Sequence, residues 1–193
     1  MPSVEQVTKQ LFSDRKWFAK CLIGGVLGLV PVVQIVSLGY LHRLFLRGME
    51  GRPFVLPEWE DWQGLFVDGL KLLAVCLVFA VVPLGALWLI AGSLPGNRWL
   101  AQIPIIPVGF LAGPAAGAAL FLWTRSGDFR NCFNFNILGK MLRQAAWRYA
   151  VPTFAFLGIL LLGWAIAPFV FFFGGAIYGY ILAAAFRSLE GQR

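Results

Sequence analysis

From Tyr149 to Phe186 the chain runs 38 residues without one charged side chain. As a single α-helix this stretch would be about 57 Å long, against a bilayer hydrocarbon core of roughly 30 Å. It therefore has to fold back on itself. Ala167-Pro168 is the natural place, because proline breaks the intrahelical hydrogen-bond ladder. The final segment, 149–187, then reads as a hairpin of two arms, each about 19 residues long and each matched to one crossing.

The rest of the sequence has the same character. Apolar segments run over Trp17–Leu46, Leu70–Gly92 and Trp99–Trp123, the last two joined by the turn-like Ser93-Leu94-Pro95-Gly96-Asn97. Charged residues make up 13 % of the 193 and hydrophobic ones 59 %, whereas a soluble domain carries about 25 % charged side chains. Such a chain cannot clothe a water-exposed surface of normal polarity. The expectation is an all-α, polytopic integral membrane protein forming one membrane domain over 1–193.

Segment 17–46 has two readings. As one helix it would reach about 45 Å and would have to tilt or project from the bilayer. Split at Pro31 it gives two arms of about 15 residues, enough for a thin or re-entrant hairpin. Charge arbitrates, since there are 16 Lys+Arg against 9 Asp+Glu, a formal +7. If segments 17–46 and 149–187 are both hairpins, every Lys and Arg except Arg98 falls on or near one face. The positive-inside tendency then predicts six apolar arms in three hairpins, with both termini cytoplasmic. The same charge points to anionic lipid headgroups on that face. A nucleic-acid partner is not expected, because the chain lacks polar surface for a dense charged footprint.

The first and last of these hairpins echo each other. A mid-segment proline, Pro31 or Pro168, is followed by Gly39-Tyr40 and Arg43 in the first, and by Gly179-Tyr180 and Arg187 in the last. A faint internal repeat and convergent hairpin chemistry both explain this.

The segments outside the apolar runs are patterned. In 1–16, Ser3-Val4-Glu5-Gln6 has the form of a capping box, and Val4, Val7 and Leu11 share a face of a short amphipathic helix. No short apolar core with a small-residue cleavage site opens the sequence, so a cleavable signal is not expected. In 57–123 a helix is predicted from Pro57 onward, leading into the central hairpin. Trp59, Trp62, Phe66 and Leu70 gather on one side of it, and Asp61, Asp68 and Lys71 on the other. Both tryptophans are then expected at headgroup depth. Glu58, Glu60, Asp61 and Asp68 form either a binding cluster for a cation or basic partner, or a solvated face paired with nearby Arg and Lys. Their spacing matches no calcium loop. In 131–148 a basic amphipathic helix suited to an anionic leaflet is predicted, with Lys140 and Arg143 on its polar side. Asn131, Asn134 and Asn136 precede or open it, either as caps or as the lining of a polar vestibule.

Chemistry inside the apolar segments is sparse. Gln34 is the clear mid-segment amide, with Ser37 and Pro31 beside it, and His42 lies at a boundary. A polar residue at this depth marks a functional site or satisfies carbonyls freed by proline. Gly109, Gly113 and Gly117 recur at intervals of four, a surface another helix can approach closely, within the chain or between copies. Cys21, Cys76 and Cys132 match no metal or redox spacing and read as small buried hydrophobes. No Ser/His, Cys/His or paired-acid arrangement lies in apolar surroundings, so neither catalytic residues, a metal nor a cofactor is expected.

The run Leu56-Pro57-Glu58-Trp59-Glu60-Asp61-Trp62 followed by Leu65-Phe66-Val67-Asp68-Gly69-Leu70-Lys71 resembles the central stretch of the family catalogued as domain of unknown function 4013. Gly24-Gly25, Pro31 and Gly39-Tyr40 with Arg43 fit the same pattern. The middle of the Trp99–Trp123 segment departs from it, being unusually rich in Pro, Gly and Ala. The resemblance implies a multi-pass protein of a prokaryotic cell membrane and brings no activity or catalytic residue with it. Two functions remain in view. One is a structural, lipid-associated or assembly-forming membrane protein. The other is a passive channel or transporter built on broken helices, assembled as a homo-oligomer.

Overall fold

The computed structural model describes residues 3–93 and 102–190. Within them every regular element is helical. Helix α1, Val4–Ser13, starts at the expected capping box: Ser3 Oγ accepts from the Gln6 N–H at 3.2 Å, and Gln6 Oε1 accepts from the Ser3 N–H at 3.1 Å. Its Val7 and Leu11 are fully buried, so α1 is docked onto the helical body rather than free on the bilayer surface.

The first apolar segment is broken. Helix α2 covers Trp17–Leu27 and helix α3 covers Gln34–Glu50, with Pro31 and a left-handed Val32 (φ 64°) between them. A proline cannot continue the ladder, and its neighbour absorbs the reversal. Ser37 closes the break by donating to the Gly24 carbonyl at 2.9 Å. Helix α3 ends on Gly51 at φ 73°, where Gly51 N–H returns to Gly48 O and Arg52 N–H to Arg47 O.

Helix α4, Trp62–Ser93, is continuous for 32 residues, with a π-helical turn at Leu77–Val81. Pro83 lies just beyond that turn. It supplies no N–H to the turn behind it, and the widened turn is how the helix accommodates this. The turn expected around Pro95, together with Arg98, lies outside the described residues. Helix α5, Ile105–Ser126, ends on Gly127 at φ 70°. A 3₁₀ turn, Phe129–Phe133, then tucks the fully buried Cys132 under α5, with Sγ 3.3 Å from Ala119 O. Helix α6, Phe135–Leu162, ends at Gly163, and a 3₁₀ turn, Trp164–Ile166, leads into helix α7, Ala167–Glu190. The last apolar stretch thus folds back within a few residues of the proline, as predicted.

Two connections differ from their expected form. No separate interfacial helix spans 131–148; that stripe is the first half of α6. Leu138, Met141, Ala145 and Tyr149 form its buried face, while Phe135 points outward. Nor does a helix begin at Pro57. Residues 57–61 are not helical and α4 starts at Trp62. Tertiary contacts described below hold those five residues and override their local helical pattern.

Backbone proximity organises the packing. A Cβ on Gly39 would strike the Leu65 carbonyl, and one on Gly69 the Ile35 carbonyl, so α3 and α4 touch main chain to main chain. A Cβ on Gly48 would meet the Tyr180 carbonyl of α7 at 2.5 Å. On α2, Gly24 and Gly25 make room for the rings of Phe172 and Phe169. Helix α3 therefore sits between α4 and α7. Two apolar cores result, one around Tyr40, Leu44, Leu65 and Phe172, the other around Phe121, Tyr149, Tyr178 and Phe186.

The surface fits the same class. Trp88, Leu89, Ile90, Leu161, Leu162 and Trp164 are all more than half exposed. Around a soluble protein such a surface would aggregate; in lipid it is solvated. Among the described residues, four helical stretches are long and apolar enough to cross a bilayer: Trp62–Ser93, Ile105–Ser126, Phe135–Leu162 and Trp164–Glu190. Helix α2 is a shorter apolar helix.

Candidate functional site

Asp14, Lys20, Arg43 and Asp68 collect around residues 51–61, where Glu58 and Asp61 meet them, beside the ends of α2, α3 and α7. Lys20 is the anchor on one side. It is 5 % exposed, and its Nζ lies 3.0 Å from Asp14 Oδ2, 2.9 Å from Glu58 Oε1 and 3.0 Å from the Leu56 carbonyl. All three of its donors are used, which is what makes burial of an ammonium tolerable. The Lys20 carbonyl in turn accepts from Trp59 Nε1 at 3.2 Å.

Trp59 lies at the centre. Its ring stacks on Tyr40 at 4.3 Å and faces Phe172 at 5.8 Å and Trp62 at 6.0 Å. Trp59 is a partly buried internal post. Its indole N–H bonds to the backbone of α2, and aromatic rings enclose it. Trp62 does present about half its surface outward.

On the other side, Arg43 of α3 bridges two acids of the segment that starts α4. Its Nη2 is 2.6 Å from Asp61 Oδ2 and its Nε 3.3 Å from Asp68 Oδ2. Lys71 Nζ is 3.1 Å from Asp68 Oδ1. Asp61 also caps α4, its Oδ1 accepting from the Gly64 N–H at 3.1 Å, and takes the left-handed conformation (φ 53°). The carboxyl of Asp61 is held below the usual range, first by Arg43 and then by the Gly64 N–H. Asp14 is held below it too, first by the Lys16 N–H and then by Lys20. His42, 3 % exposed, has its Nδ1 3.7 Å from Asp68 Oδ1, and among the described residues neither ring nitrogen makes a hydrogen bond.

Of the two readings of the acidic cluster, the geometry matches the one in which the acids pair with neighbouring cations. Glu58, Asp61 and Asp68 all have such partners within the chain. Among the described residues, no group of three or more His, Cys, Asp or Glu could hold a metal ion. Lys20, Asp14, Arg43 and Tyr40 complete the arrangement; the Gly-Tyr and Arg echo marks Tyr40 and Arg43 in the sequence, and no local pattern marks Lys20 or Asp14.

The other candidates are dispersed. Asn134 caps α6, accepting from the Ile137 N–H at 3.3 Å; Asn131 lies in the preceding turn, and Asn136, Lys140 and Arg143 are exposed on the same helix. Gln34 opens α3 and, with Ser37, lines a cavity of about 470 Å³ that also touches Gly28, Cys76 and Pro168. Pro31 is in the break beside it. Gly113 and Gly117 face Tyr178 and Leu182 of α7, and Gly109 is 3.8 Å from Leu84. Of the two readings of this small-residue face, the geometry at Gly113 and Gly117 matches packing within the chain, against Tyr178 and Leu182.

Long apolar helices, a lipid-facing exterior and, among the described residues, a charged layer at the helix ends define a polytopic membrane protein. A family model described as "Protein of unknown function (DUF4013)" matches residues 22–179, and the chain belongs to that family. No curated protein and no solved structure matches it.

Proposed function

We propose that the protein is a non-catalytic, structural membrane protein in which apolar hairpins carry a rigid charged cap on the cytoplasmic face of a prokaryotic cell membrane. Six apolar arms in three hairpins, with both termini cytoplasmic, place α1, residues 51–61 and the end of α7 against the anionic leaflet. The observation that carries this reading is the internal pairing of the cap. Lys20 with Asp14 and Glu58, and Arg43 with Asp61 and Asp68, tie the crossing segment to α2, α3 and α4. Such pairing favours a fixed surface over a moving gate. Flux from purified proteoliposomes loaded with potassium tests it. The expected leak equals that of protein-free vesicles, and protein-dependent conductance would overturn the reading.

A passive channel is the second reading, and one observation favours it. The 470 Å³ cavity lies at the break between α2 and α3, lined by Gln34 and Ser37 and by Pro168 at the start of α7. Broken helices bordering one cavity are how many transporters build a path. A conduit through copies of the chain would need a surface other than Gly113 and Gly117.

A further inference from the structure

Beside the ion-paired segment lies a second cavity of about 610 Å³, walled by α1, the end of α3, the following turn and the end of α7. Lys9, Arg52 and Arg187 line it with the amides of Gln6 and Gln10, and among the described residues no carboxylate does. Arg187 is placed by a glycine. Its guanidinium occupies the volume that a Cβ on Gly51 would take, and Gly51 is left-handed at φ 73°. Only glycine meets both demands without strain. Arg52 is placed by its own backbone, since its carbonyl accepts from the Tyr180 hydroxyl at 2.7 Å. Lys9 pairs with Glu5 at 2.7 Å and Arg52 with Glu50 at 2.8 Å, but both pairs are open to solvent. Exposed pairs of this kind contribute little and yield readily to a better anion.

We propose that this cavity binds a phosphate-bearing anion, held by Arg187, Arg52 and Lys9, an inference that rests on reading the cap as the surface facing the cytoplasmic leaflet. Guanidinium forks match the geometry of phosphate oxygens, and two of them with an ammonium supply more donors than one phosphate needs. The volume exceeds that of phosphate alone and leaves room for the alcohol that esterifies it. Two sources share this chemistry: the headgroup of an anionic phospholipid and a soluble phosphate ester.

The test follows thermal unfolding of the purified protein in neutral detergent during titration with short-chain phosphatidylglycerol, with glycerol 3-phosphate and with inorganic phosphate. A saturable rise in Tm is expected, with affinity lowered at least ten-fold in Arg187→Gln and in Lys9→Gln/Arg52→Gln. A response to phosphatidylglycerol alone assigns the lipid source, and an equal response to glycerol 3-phosphate assigns the soluble one. No saturable response to any probe overturns the proposal, as does wild-type affinity in both cavity variants. Should Arg187→Gln unfold early without ligand, the Lys9/Arg52 pair decides alone, because both side chains are exposed. Labelling of Glu50→Cys with an impermeant maleimide in intact and then permeabilised cells reports the face of the cap independently, so loss of binding with correct labelling removes this inference and leaves the cap reading standing.

Discussion

Tyr40 and Tyr180, on two different helices, hold one segment by its two ends. The Tyr40 hydroxyl of α3 donates to the Pro57 carbonyl at 2.7 Å, and the Tyr180 hydroxyl of α7 donates to the Arg52 carbonyl at 2.7 Å. These are the tyrosines of the two Gly-Tyr pairs that echo each other in sequence. The arginine after each is also engaged at the corresponding end, Arg43 with Asp61 and Arg187 over Gly51. The two halves of the echo therefore do the same work, fixing residues 51–61 across the helix ends.

Removing either hydroxyl should loosen its own end. Tyr40→Phe and Tyr180→Phe should each cost about 1 kcal/mol, the usual net worth of such a hydrogen bond. Hydrogen exchange should rise near Pro57 in the first and near Arg52 in the second. Uniform loss of protection along the chain in both variants would contradict the two-ended hold.

Losing the acids around Lys20 should cost more than losing Lys20 itself. Asp14→Asn/Glu58→Gln leaves a buried ammonium without its acids and should cost about 3 kcal/mol or more. Lys20→Met leaves two partly solvated acids and should cost less. Chemical denaturation of the two variants side by side checks the order.

Stability should fall in acid through Asp14 and Asp61. Both folded carboxyls titrate below their unfolded value of about 4. As pH drops, the unfolded chain takes up protons first, so the contribution is fully present above about pH 4 and disappears as pH passes down through the folded values. Asp14→Asn and Asp61→Asn should each flatten Tm against pH below about 4, with little change in slope above about 6.

Glycine positions should separate sharply. Alanine at Gly39 or Gly69 drives a methyl into a carbonyl of the facing helix, and little folded protein should be recovered. Alanine at Gly85, where nothing lies within 4 Å, should gain about 0.5–1 kcal/mol of helix propensity. Gly113→Leu should lower thermal stability without changing the mass of the particle in nanodiscs, because its neighbour is Tyr178 of the same chain.

What the sequence discloses is the local part of the structure. The capping box at Ser3, the fold-back before Pro168, the break at Pro31 and the inner stripe of α6 are all readable because each is set by residues within a turn or two. The contact of Gly39 with α4 is not, since the Leu65 carbonyl it meets belongs to another helix and no period connects the two. The small-residue stripe at 109–117 is visible, but which surface fills it depends on where α7 lies. Trp59 misleads for the same reason. Its spacing with Trp62 and Phe66 is helical, and only Tyr40, Phe172 and the Lys20 carbonyl, all distant in sequence, pull it out of that pattern.

A single charged cap on the cytoplasmic face requires the connections at 47–61 and 124–134 to share one side of the membrane, and that is measurable. In a cysteine-free background, single cysteines at positions 50, 97 and 128 are labelled with a membrane-impermeant maleimide, first in intact cells and then after permeabilisation. Positions 50 and 128 should react only after permeabilisation, while position 97 should react in intact cells. Reaction of positions 50 and 128 from opposite sides would contradict the three-hairpin arrangement and the single cytoplasmic cap with it.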